Sequence, residues 1–400
     1  MGMKYRGLAG LLLVSVAALV SCGSDSSSST KDPGTIGTGF IFVATQGDQK
    51  LSSFSIDLSN GKLTTNGNGA ATGSAPVAAA ITPDGNSIFV VNRDSADISR
   101  YTVKADGTLT EVTPNQAGGG TNPVGLTMDA AGKFLFVVNQ GDFSAPASTI
   151  SVFSIGSGAA LTAVAQGSVF GALSDVVSIA VTPDGKFLYA ANRTAGTVVT
   201  FAVDASGVLS QVLTAPIVNT GTTPVALAIT PDNPASPSAN GLFLYVANSG
   251  TDNISVFSIC GKPTLTCTAP NGDLAEITGS PFSAGLEPTS FVIVNPAVTT
   301  PPSGTFLYAA DKSSNQVSQY TISTVSGSLT AISPPAISTG QTPVWVAARK
   351  DGRYVFAANN GGSTVSPFFI ASPATGLLAT VGASSGNTST GGQPSAIVVK

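Results

Sequence analysis

Histidine is absent from all 400 residues. Without imidazole there is no Ser-His-Asp triad, no His-ligated zinc and no haem held by an axial His. Charge is scarce too: Asp, Glu, Lys and Arg make up 10% of the chain, against about 25% in an average soluble domain. The 17 cations are outnumbered by 21 acids, so the basic surface that nucleic acid demands is missing, and no nucleic-acid partner is expected. Three cysteines are too few for an all-thiolate zinc site. Long apolar runs are lacking as well. The longest, Leu8 to Val20, has 13 residues, short of the ~20 that a membrane-spanning helix needs. Helical periodicity does not recur after it.

That run follows Lys4 and Arg6 and ends in Leu19-Val20-Ser21-Cys22. A short positive segment, a 13-residue apolar core and Leu-x-Ser-Cys resemble the signal and lipobox of a bacterial lipoprotein. Residues 1–21 are therefore read as the signal peptide and Cys22 as the lipidated residue. Residues 22–38 form a Ser/Gly-rich tether with too few apolar groups to bury a core. Gly23 follows the Cys where an inner-membrane retention signal would place Asp, so the expected location is the outer membrane or cell surface. Removing the signal takes Lys4 and Arg6 with it, leaving 15 cations against 21 acids, a net charge of −6. Cys260 and Cys267 flank the loop GKPTLT. Outside the cytoplasm such a pair is expected to form a disulfide, the alternative being two reduced thiols in a surface loop.

Seventy residues are Gly (45) or Pro (25), which implies frequent turns, and the turns punctuate a repeat. Short apolar strands ending in Asn or its stand-in recur: IFVAT (41–45), IFVVN (88–92), LFVVN (135–139), LYAAN (188–192), LYVAN (244–248), LYAAD (307–311) and VFAAN (355–359). Their last residues are 47 to 63 positions apart. An alternating strand such as ISVFSI (150–155 and 254–259) follows each. Next come a Gly and a short Leu-centred strand, as at Gly107, Gly207 and Gly327. Every Asn-type strand except the first is expected to be preceded by a Pro-started apolar strand, Pro76–Ile81 being the first. Thr-Pro-Asp-Gly at 82–85 and 182–185 suits a type I turn between the two.

Four strands in about 50 residues is the arithmetic of a propeller blade. The first Asn-type strand lacks a Pro-started partner, and Pro394–Val399 lacks anything after it. Pairing them closes the ring and leaves no sheet edge between the first and last blades. Residues 39–400 are thus read as one all-β domain, a seven-bladed β-propeller of four-stranded blades. The repeated Asn is taken as structural, capping the turn that follows it.

LYVAN at 244–248 and TPDGKFLYA at 182–190 resemble the YVTN-repeat propellers, related to the seven-bladed lactonase family that includes bacterial 6-phosphogluconolactonases. The resemblance spans essentially the whole mature chain. It implies the fold and, for activity, hydrolysis of a lactone. Lactone-handling relatives use His, Arg and Glu, and this chain has no His.

Site chemistry is sought where residues break the repeat. Arg93, Arg193 and Lys312 stand directly after the Asn or Asp in blades two, four and six. Asp175 and Glu287 stand directly before the innermost strand in blades four and six. With related blade geometry both positions open on one face. There the three cations are ligand-binding candidates for an anion, and either acid is a catalytic candidate for activating water. Asp94, Asp97, Asp142 and Asp252 share that face and could take Ca²⁺, although no D-x-D-x-D-G loop specifies it; otherwise no metal or cofactor is expected. Phe143 and Trp345 are candidate apolar contacts, Trp345 more readily as core. The functional expectation is an exported, lipid-anchored monomer that binds a small polar or anionic ligand, or an envelope protein, without the family's catalysis. Lactone hydrolysis is the alternative.

Overall fold

The computed structural model describes residues 39–118, 120–141, 148–165, 173–212, 217–231, 243–260, 272–295, 304–382 and 386–400. They form seven antiparallel sheets. Blade one is built from both chain ends: Pro394–Val399 lies innermost, followed outward by Gly39–Thr45, Lys50–Ile56 and Leu63–Thr65. Blades two to seven each run outward in chain order. The seven innermost strands neighbour one another in a closed cycle, with Pro394–Val399 seated between those of blades seven and two. The ring closure read from the two unpaired strands is as expected, Val43 opposite Ile397.

Innermost strands such as PVAAAI, PVGLTM and PVALAI are rich in small and β-branched residues and are buried almost throughout. They face neighbouring blades on both sides, so they read as continuous apolar runs rather than as alternation. Blade four departs from the expected Pro start: its strand is Val176–Val181. Each blade carries the same bulge at the start of this strand, for example between Pro76 and Ala78. The extra residue bends the strand end and redirects its side chains. The two Thr-Pro-Asp-Gly turns close as expected, Gly85 and Gly185 donating N–H to Thr82 and Thr182 at 2.8 Å.

Blade-to-blade contacts explain two features of the repeat. Before the short fourth strand, blade three has Ala159 with φ +59°; in the other six blades a Gly with positive φ, +78° at Gly107, holds a conformation that L side chains rarely adopt. It also lies flat on an aromatic ring of the preceding blade. A Cβ on Gly107 would meet Phe40 at 2.3 Å, and one on Gly327 would meet Phe243 at 2.4 Å. The Tyr of the LY-A-type strands reaches the same turn. Tyr189, Tyr245 and Tyr308 donate to the carbonyls of Gly272, Gly327 and Gly376 in the next blade, at 2.9, 2.9 and 2.6 Å.

The repeated Asn is buried and structural, but it does more than cap a turn. Asn92 donates through Nδ2 to Asp97 and Ser99, and Asn248 does so to Asn253 and Ser255, at 2.6 to 2.9 Å. The amide therefore clamps the second strand to the third. Trp345 is 1% exposed and part of the core.

Candidate ligand-binding mouth

One backbone hydrogen bond recurs in all seven blades and defines this face. The residue after the Asn-type strand donates its N–H to the carbonyl of the residue before the innermost strand. The pairs are Gln46–Gln393, Arg93–Ala75, Gln140–Asn122, Arg193–Asp175, Ser249–Thr223, Lys312–Glu287 and Asn360–Thr342, all at 2.8 to 3.0 Å. The two positions chosen from the sequence are thus partners. In five blades the residue before the strand is left-handed, with φ +53° at Glu287, and the bulge beyond it turns its side chain away from the blade interior.

Four of the five candidates assemble as two pairs within blades, and Arg93 stands apart. In blade four Asp175 accepts Arg193 Nε and Nη2 at 2.9 and 3.0 Å. It also accepts Thr194 and, from blade three, Gln140, each at 2.6 Å. Four donors fill the roughly four lone-pair directions of a carboxylate. Burial acts to raise its pKa, but the bonds from Thr194, Gln140 and Arg193 outweigh it and hold the carboxyl below its ordinary value. In blade six Lys312 Nζ lies 3.4 Å from Glu287, whose other oxygen accepts the Ser313 hydroxyl. That hydroxyl is the main cause holding Glu287 low, against burial and with help from Lys312. Blade two has Ala75 in place of an acid, and Arg93 turns to its neighbour Asp94 at 2.8 Å. Each cation already has an acid, and blades three and five intervene between the pairs.

This has a chemical consequence. A general base works best with a pKa near the working pH, and both acids are moved the other way. Glu287 is the more open, with 41% of its side chain exposed against 13% for Asp175. Apart from Ala75, the remaining mouth positions are amides and hydroxyls, groups that suit a neutral polyhydroxyl ligand as donors and acceptors.

Gln140, Thr194 and Ser313 were not singled out from the sequence. Gln140 occupies the same repeat position as Arg93 and Arg193, and the other two follow it by one residue, so aligning the blades position by position finds them. Of the acids considered for Ca²⁺, Asp97 binds Asn92, Ser95 and Asn115, and Asp252 accepts the Glu287 N–H at 2.8 Å. Among the described residues no three His, Cys, Asp or Glu side chains group as a metal site. Asp142, Phe143, Cys22 and Cys267 lie outside the described residues. Cys260 is buried and disulfide-bonded.

Beside Arg193 the turn of blade four and the connection to blade five frame an open cavity of ≈ 420 Å³. Arg193, Thr194, Asn219, Thr220, Thr222 and Thr223 line it, with Gly196 and Gly221.

Several solved structures share this architecture. A candidate 6-phosphogluconolactonase from Bacteroides fragilis is 20% identical, with a TM-score of 0.71 over 92% of this chain and 100% of the other. A candidate 6-phosphogluconolactonase from Bacteroides uniformis is 16% identical, with a TM-score of 0.69 over 91% and 99%. The periplasmic gluconolactonase of Pseudomonas aeruginosa is 20% identical, with a TM-score of 0.67 over 91% and 99%. At these identities the likeness concerns the fold. A search of curated protein sequences finds no match. The family model of the seven-bladed β-propeller lactonases matches residues 35–124, 67–157, 147–263 and 283–395, overlapping as a blade repeat does. The chain belongs to the seven-bladed β-propeller lactonase family.

Proposed function

We propose that the chain is an exported lipoprotein, anchored through Cys22 in the envelope, whose propeller mouth binds a small polar ligand as a monomer. The cavity beside Arg193 carries this reading, being ≈ 420 Å³ and walled by hydroxyls and amides. Such a volume is within the range of small-molecule sites. Because Arg93, Arg193 and Lys312 each have an acid beside them, a neutral polyhydroxyl compound is favoured over a strong anion. An envelope protein bearing such groups would engage the same face. The test is calorimetry of the mature chain against glucose, δ-gluconolactone and gluconate. A neutral sugar or lactone should bind, Thr222→Val should weaken it, and gluconate should bind less well. A gluconate preference would restore the anionic ligand.

A second reading, lactone hydrolysis, is supported by the family and by Glu287, whose carboxylate is the more exposed of the two. A lactone panel with and without Ca²⁺ tests it. Turnover that disappears in Glu287→Gln while affinity persists would assign an enzyme, since a general base acts mainly in the transition state.

A further inference from the structure

The face opposite the mouth has its own concavity, at the seam where blade seven meets blade one. Its volume is ≈ 430 Å³, and Leu58 of blade one faces Tyr354, Phe369 and Ile370 of blade seven across it. Phe369 is 38% exposed, one of four large apolar side chains that are exposed among the described residues. The opening has a cause in the chain. The third strand of blade seven, Thr364–Ser372, has nine residues where the third strands of the other six blades have seven. Its register also shifts between Ile370 and Ser372. Phe369 is the sixth residue of this strand, ahead of the added ones, where the other blades carry Ser55, Thr102, Ser154, Ala202, Ser258 and Thr321, so a ring reaches the rim in place of a small side chain. Tyr354 donates its hydroxyl to Leu58 O at 3.1 Å, so the phenol is engaged and its ring forms the wall.

The rim is unlike the rest of this acidic chain. Residues 349–353 read Arg-Lys-Asp-Gly-Arg, three cations to one acid. Asp351 is shared: Arg349 bonds it directly and Arg353 approaches within 3.9 Å. Arg353 is 65% exposed, and Arg349 Nε is buried without a hydrogen-bond acceptor among the described residues. Two guanidinium groups on one carboxylate leave positive charge beside a cavity of mixed lining, polar at Ser59, Asn60 and Asp351 and apolar at Leu58, Tyr354 and Phe369.

We propose that this seam binds a small amphipathic anion, an aromatic or medium-chain acid. Its apolar body lies against Tyr354 and Phe369, and its acid group meets Arg353. The guanidinium offers the planar fork that suits a carboxylate or sulfonate, and the rings supply the apolar area. The site is independent of the mouth. The test is fluorescence titration of the full chain with 8-anilinonaphthalene-1-sulfonate, with decanoate as competitor. One saturable site is expected, displaced by decanoate and weakened at least ~10-fold by Arg353→Glu, as expected when a charged hydrogen bond is lost. Phe369→Ser should act similarly, and Arg193→Ala at the mouth should leave binding unchanged. Absence of saturable binding, or equal binding by the Arg353→Glu protein, overturns the proposal. Arg353 points to solvent, so that variant decides even if Phe369→Ser folds poorly.

Discussion

Ser395 donates its hydroxyl to the carbonyl of Pro76, 319 positions earlier in the chain, at 2.7 Å. The same oxygen lies 3.2 Å from Ala44 O. One buried hydroxyl thus ties the last strand to both blade one and blade two.

Deleting residues 394–400 should therefore cost far more than seven residues would suggest. It uncovers Phe42 and Val43, exposes the inner edge of Gly39–Thr45 and removes Ile397 from the core. Loss of a cooperative thermal transition is expected by circular dichroism. Ser395→Ala, which removes only the hydroxyl, should cost about 1 kcal/mol. An unchanged melting temperature after the deletion would show that the strand does not close the ring.

Asp311 replaces the repeated Asn in blade six. It is wholly buried, accepts Ser318 Oγ at 2.6 Å and leaves Oδ1 without a partner among the described residues. Burial pushes its pKa up to about 7. The folded state therefore holds a proton that the unfolded chain releases near 3.8. Stability falls as pH rises from that value and levels off above about 7. Asp311→Asn should match the parent near pH 4 and gain roughly 1–3 kcal/mol by pH 8, the scale of an unmatched buried polar group. Urea melts at both pH values measure this, and equal gains would contradict it.

The Asp175–Arg193 pair works in the opposite sense. The Asp175 carboxyl is held below its ordinary value, so its contribution is complete above the unfolded value of 3.8 and disappears as pH falls through the folded one. Arg193→Ala should cost about 1.5–3 kcal/mol at pH 7, the range for hydrogen bonds to charged groups. The difference should shrink markedly at pH 3. A cost that is the same at both values would mean packing, not charge, holds the pair.

Fold and site were legible to different depths. Strand, turn and Gly positions recur in sequence because every blade solves one packing problem, so blade number, ring closure and innermost strands follow from the repeat. Val176 in place of Pro shows the limit: an extended start is required there, and Pro is only one way to supply it. The Gly107–Phe40 contact joins two blades, so the sequence shows both residues without showing that they touch. At the mouth the two charged positions were identifiable, but their pairing was not. It arises from the bulge, joined at Glu287 but not at Asp175 by a left-handed backbone, which sets side-chain direction rather than side-chain type. Gln140 completing the Asp175 carboxylate from a neighbouring blade is a contact of the same kind.

The proposed lipidation of Cys22 gives a prediction of its own. Cys22→Ala should move the protein from the detergent-soluble membrane fraction to the aqueous phase, with the propeller still folded. A variant that stays with the membrane would remove lipidation from the proposal.

Gly39 and Lys400 sit together on the face away from the mouth, Phe40 and Lys400 exchanging backbone bonds at 2.8 and 3.2 Å. A force applied at Gly39 runs along the axis of a strand held on both sides, by Lys50–Ile56 and by Pro394–Val399. Such loading shears the whole ladder at once instead of unzipping it bond by bond. The strand that closes the ring thus makes Gly39 a mechanical clamp, on the face away from the mouth.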